Sequence, residues 1–281
     1  MGHTTKRSGW ARFWDNGRWW KALILTVGYL AVYEPASLLM APFVPYIGDA
    51  GSVSYVLVLI AVPVLIGCII LVGFGASLRW LRSVFARQSV RGSGWMWIAI
   101  VVVLLFNVLR FASIDYAAAG FDWVAAWLLT GLFIGFSEEL LTRGYVVRIM
   151  RSAGHSEIAV GFVSAALFAL LHGFNFFTGQ PILPTLLQMF YTFFFGFSMY
   201  LAMRVTGTIV APILLHASTD PSIFMQGTYP AADSLSGIAN LGNIVLILVG
   251  VVLVVVFIIT ENRAGHRNRS GLVDSAPISE R

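Results

Sequence analysis

Charge is what this sequence has least of: Asp, Glu, Lys and Arg make up 11% of its 281 residues. An ordinary soluble domain carries roughly 25%, so a chain this poor in charge cannot cover a water-facing surface. It has one cysteine, Cys68, inside an apolar run, which excludes an intrachain disulfide and makes the thiol a small core residue. No His-Glu-x-x-His occurs, so the usual metalloprotease helix is missing. The Gly-x-Ser-Gly and Gly-x-Gly-Asp patterns of serine and aspartyl intramembrane proteases are missing too. The first 21 residues are polar, basic and Trp-rich, with no Ala-x-Ala-like site soon after, so an uncleaved first helix is expected rather than a signal peptide.

What the chain has instead is apolar length. Hydrophobic residues make up 58% of it and the mean hydropathy is +0.82. Apolar runs of about 20 residues, enough to cross a bilayer, recur along nearly the whole chain. The expected spans are 22–44, 53–75, 95–113, 123–147, 157–177, 183–203, 207–227 and 238–260. In lipid, single apolar segments satisfy their backbone only as helices. The fold class expected is therefore all-α, a polytopic membrane bundle of about eight transmembrane helices. Its divisions are a basic aromatic tail (1–21), the membrane domain (22–260, with a core at about 123–227) and a disordered tail (261–281).

The basic residues test this topology. With eight spans, 17 of the 18 fall on one side, and only Arg110 lies near the other. The positive-inside rule then puts both termini in the cytoplasm. The net charge of +5 thus reflects topology rather than nucleic-acid binding. Sixteen arginines against two lysines, with abundant Val, Ala and Gly, point to a bacterial cytoplasmic membrane.

Ionisable residues inside spans are costly and mark function. One set is Glu138, Glu139 and Arg143. On a helix Glu139 and Arg143 are an i, i+4 ion pair in the favourable order, while Glu138 points about 100° away. One carboxylate is thus neutralised while the other faces the interior unpaired, as a general base requires. The bland alternative is a helix end whose charges meet water. The second set is His172, four residues after Phe168, which could equally be a hydrogen-bonded core histidine. The third is His216 with Asp220, on one helix face, which could equally be a polar pair joining two helices. Counted from the cytoplasmic ends, Glu138 and His216 lie roughly 12–14 Å deep and His172 nearer 22 Å.

The order EExxxR, FxxxH, HxxxD within a multi-span protein resembles the CPBP family, which includes the CAAX prenyl endopeptidases. The motifs here are Glu138 to Arg143, Phe168 to His172 and His216 to Asp220, and the resemblance covers about 136–221. It implies an intramembrane glutamate endopeptidase without metal or other cofactor, acting on a membrane protein or lipidated peptide. Carried over, Glu138 activates water with help from His172, His216 and Asp220 stabilise the oxyanion, and Arg143 holds Glu139. Many relatives have Asn where this chain has Asp220. An amide donates directly, whereas an ionised carboxylate can only orient His216. Three other readings stay open: a zinc hydrolase using the same histidines and glutamate, a non-proteolytic scaffold or bacteriocin-immunity protein, and a transporter using Glu34, beside Pro35, with Arg110 as its partner.

Overall fold

Proline, serine caps and glycine set the limits of the helices. The structure, a computed structural model, describes residues 8–232 and 234–274. Helix α1 (Gly9–Asp15) starts where the Ser8 side chain accepts from the Ala11 amide, an N-cap. Helix α2 (Trp19–Ser37) gives way just after Pro35 to a 3-10 segment, Leu38–Tyr46, that holds Pro42 and Pro45. A π-helical turn, Tyr55–Ala61, leads into α3 (Val62–Ser77), and α4 (Leu81–Phe85) follows. Next come α5 (Trp97–Ala112), the short α6 (Tyr116–Ala119) and α7 (Phe121–Glu139). A π-helical segment, Leu140–Val146, carries α7 without a break into α8 (Val147–Ser152). Helix α9 (Glu157–Gly173) is capped by Ser156, and α10 (Ile182–Thr206) ends at Gly207, whose φ of 73° is the left-handed conformation that closes a helix. Helices α11 (Val210–Thr228), α12 (Ser234–Asn240) and α13 (Gly242–Asp274) complete the bundle.

Among the described residues seven helices are long and apolar enough to cross a membrane: 19–46, 55–77, 94–112, 121–152, 157–176, 182–206 and 234–264. Each matches an expected span. The remaining expectation, 207–227, is met by α11, which has the length but not the apolarity, because it carries His216, Ser218, Thr219, Asp220 and Gln226. The chain is an all-α polytopic membrane bundle. Two expectations need revision. The fourth span runs on to Ser152 rather than 147, because the π-helical segment keeps it continuous. The last helix extends to Asp274, beyond the expected span end at 260, and at 275–281 the expected tail lies outside the described residues.

Large apolar side chains face outward along the spans, among them Leu104, Leu105 and Val108 on α5 and Leu183, Leu186 and Leu187 on α10. Such a belt is stable in hydrocarbon and not in water. The two ends of the bundle are held by polar contacts. At the arginine-rich end the indole of Trp80 donates to Asp15 (2.9 Å), and Arg151 pairs with Glu157 (2.8 Å). Arg204 there pairs with Glu157 (3.0 Å) and Glu261 (2.9 Å), tying α9, α10 and α13 together. At the other end Trp123 donates to the Ala50 carbonyl, and Ile114 and Pro230 form an isolated bridge.

Backbone proximity decides where the polar motifs meet. A Cβ on Gly131 would lie 2.4 Å from the Ala217 carbonyl oxygen, and one on Gly135 would lie 2.6 Å from that of Ile213. Helices α7 and α11 therefore touch backbone to backbone along a Gly-x-x-x-Gly face, the close approach that small residues allow in membranes. Asn107 on α5 holds α11 from the other side, donating to Ser218 (2.9 Å) and Thr219 (2.8 Å).

Candidate active site

One turn beyond Gly135, the α7–α11 contact brings two carboxylates against a histidine. Glu139 is fully buried, and its Oε1 accepts from Arg143 Nη1 at 3.1 Å and from His216 Nδ1 at 2.9 Å. A carboxylate oxygen that holds an arginine is an acceptor, so the Nδ1 of His216 must be the donor. The other ring nitrogen, Nε2, then lies 3.9 Å from Glu138 Oε2 and 3.7 Å from Asp220 Oδ2. Glu138 Oε2 makes no hydrogen bond in this structure. Glu139 is thus tied to Arg143, while Glu138 has only the 3.9 Å approach of His216 and no hydrogen bond at Oε2. The sequence did not reveal that Glu139 also carries His216.

Arg143 is 1% exposed and completes a buried array. It donates to Thr142 and to the Gly196 carbonyl, and its guanidinium lies 4.7 Å from the Phe168 ring centroid. Phe168, the first residue of the second motif, also packs on both histidines, 4.9 Å from the ring of His172 and 5.6 Å from that of His216. It fixes the spacing of the two imidazoles and screens Arg143.

His172 sits in the last turn of α9, with Nδ1 3.0 Å from the Phe168 carbonyl oxygen. A carbonyl only accepts, so Nδ1 carries the proton, and Nε2 of a neutral ring is left with its lone pair. The depth gap expected between His172 and Glu138 disappears. With the helix continuous to Ser152, Glu138 lies fourteen residues, about 21 Å at 1.5 Å per residue, from the arginine-rich end. Counted from Glu157, where α9 begins, His172 lies fifteen residues, about 22 Å, in.

Glu138, His172 and Asp220 line one cavity of about 230 Å³. Its far wall comes from α2, as Tyr29, Tyr33 and Glu34, with the two tyrosine rings stacked at 5.3 Å. Asn175 and Gln188, joined by a 3.0 Å hydrogen bond, line it as well. Tyr29, Tyr33, Asn175 and Gln188 were not found from the sequence. Only Glu34 stood out there, as an acid before a proline. Its expected partner is elsewhere: Arg110 is buried and donates to Asn243 at 2.8 Å. No cluster of three metal-ligating side chains is arranged around an ion position among the described residues.

The all-helical membrane bundle thus gathers two histidines and three carboxyl groups deep in one core. Residues 120–221, about a third of the chain, match the family model described as "Type II CAAX prenyl endopeptidase Rce1-like". That stretch runs from α7 to the Asp220–Pro221 turn of α11 and holds all three motifs. Over it the chain is similar to that family, and the similarity supports an intramembrane endopeptidase, a hydrolase of peptide bonds, in general terms. No curated protein and no solved structure matches the chain.

Proposed function

We propose that the protein is a glutamate-type intramembrane endopeptidase in which Glu138 and His172 activate a water in the cavity and His216 stabilises the oxyanion. The observation that carries this reading is the shared Oε1 of Glu139. By holding both Arg143 and His216 Nδ1, it removes Glu139 from the chemistry and aims the His216 Nε2 edge toward Glu138 and Asp220.

The steps follow from the donors and acceptors present. Glu138 has no competing hydrogen bond at Oε2 and takes a proton from water, with the free Nε2 of His172 as a second acceptor. The hydroxide attacks the scissile carbonyl carbon, and the carbonyl π pair moves to oxygen. His216 Nε2 donates to that oxyanion, which requires the doubly protonated ring, with Nδ1 bound to Glu139 and Asp220 beside Nε2. The C–N bond then breaks, and the amine leaves with the proton that Glu138 took up. In this scheme Asp220 is a positioning residue for His216, since an ionised carboxylate cannot donate to an oxyanion.

The substrate is a peptide segment of a membrane protein or lipidated peptide, and the medium is the bilayer. The arginine-rich end, with both termini, faces the cytoplasm, in line with the positive-inside distribution. The test compares wild type with Glu138→Gln at equal expression in a host lacking its own copy, reading new peptide termini across the membrane proteome. Termini present with wild type and absent with the variant support the reading. Identical termini, with the variant folded, reject it. Activity that disappears with a chelator and returns with zinc would replace the metal-free scheme by a zinc hydrolase.

A further inference from the structure

A second cavity, of about 410 Å³, opens at the arginine-rich end between α4 with the loop that follows it and the 143–152 stretch that ends in α8. Four arginines line it (Arg87, Arg143, Arg148 and Arg151) together with hydroxyls such as Ser83 and Ser89, and no Asp or Glu does. Two of the arginines are occupied. Arg151 gives Nε and Nη2 to Glu157 and Nη1 to Gln88. Arg148 donates to Ser83, lies over Trp80 and stands 3.9 Å from Asp15. The other two have donors to spare. Arg87 is exposed, and its side chain has no hydrogen bond or ion pair among the described residues. Arg143 is almost wholly buried, yet its Nε has no hydrogen-bond partner. A buried guanidinium N–H without an acceptor is costly to leave in place.

We propose that this cavity binds the phosphate-bearing headgroup of an anionic phospholipid. A phosphate supplies several strong acceptors and suits the planar donor fork of arginine. The cavity lies at the end of the spans, where headgroups sit, and basic pockets at that level attract anionic lipid. Arg87, exposed and lining the cavity, supplies donors to the bound phosphate from its outer side. Arg143 also holds Glu139, so the headgroup site and the Glu139–His216 array share one side chain.

The test measures retention of phosphatidylglycerol and phosphatidylcholine by the purified full-length protein, using native mass spectrometry, with thermal melting as the second readout. Wild type is expected to retain phosphatidylglycerol over phosphatidylcholine and to melt higher in its presence. Arg87→Ala should weaken that retention roughly fivefold, the effect of one neutralised charge, and Arg87→Glu should weaken it further. Arg82→Ala removes an equally exposed charge from the same end but outside the cavity, and is expected to have no effect. Equal retention of the two lipids, or equal loss from Arg82→Ala and Arg87→Ala, would overturn the proposal, because a diffuse surface charge would then explain the binding. Inorganic phosphate alone is the remaining arm. Stabilisation by phosphate but not by phosphatidylglycerol would assign the cavity to a free anion instead.

Discussion

Asp220 is the residue whose chemistry distinguishes this site from one built with an amide. Its Oδ2 is 3.7 Å from His216 Nε2, close enough to orient the ring and too far for a good hydrogen bond. If it acts through His216, Asp220→Asn should keep cleavage within about tenfold of wild type, because an amide can donate to the oxyanion directly. Asp220→Ala should lower kcat by roughly 10²–10³-fold, the range for losing oxyanion support. Single-turnover cleavage of a substrate identified from its new termini would measure both. Arg143 gives a stability prediction of the same kind. Arg143→Met leaves buried Glu139 with only His216 against it, and losing one partner of a buried pair costs up to about 3–5 kcal/mol, so the melting temperature should fall clearly. Adding Glu139→Gln should restore part of the loss, as coupled neighbours do. Seven polar residues were legible in the sequence because charge in an apolar span is conspicuous: Glu34, Glu138, Glu139, Arg143, His172, His216 and Asp220. Asn107, Tyr29 and Tyr33 were not, since an amide or a phenol is unremarkable in a membrane helix. Their roles arise only from what faces them.

Among the elements, α7 and α11 carry the site because their backbones touch at Gly131 and Gly135. Gly135→Ile should push the helices apart, with an overpacking cost of about 1–3 kcal/mol or more. Cleavage should fall much further than that cost implies, because His216 then loses its reach to Glu139. A melting curve beside a cleavage assay separates the two effects: moderate destabilisation with activity nearly gone is the expected pair. Span positions were readable from hydropathy alone to within a few residues. The Gly-x-x-x-Gly contact was not, because glycine is frequent in membrane helices and its spacing does not say which helix it meets. The π-helical segment at 140–146 was equally invisible, and with it the extra length that brings Glu138 level with His172. Glu34, on the α2 wall of the cavity, belongs to the same scale. Glu34→Gln is expected to change KM more than kcat, since it alters what the cavity holds and leaves the water-activating pair intact.

The molecule as a whole has one arginine-rich end and one end poor in arginine, and this orientation can be measured directly. With the single native cysteine buried, Cys68→Ala gives a silent background. Ala86→Cys at the arginine-rich end should react with an impermeant maleimide only from the cytoplasmic side. Ala118→Cys, at the other end, should react only from the opposite side. Labelling of both from one side would reject the topology.

The 3-10 segment Leu38–Tyr46 has no buried residue and follows directly on α2, three residues after Pro35 and next to the Tyr33–Glu34 wall of the cavity. Across the bundle, α9, α10 and α13 are clasped by Arg204. Swinging the segment outward uncovers no core, whereas parting the clasped helices breaks two ion pairs. In the proposed reading, a peptide diffusing in the plane of the bilayer would reach the cavity most readily at this corner, where no side chain has to leave a core.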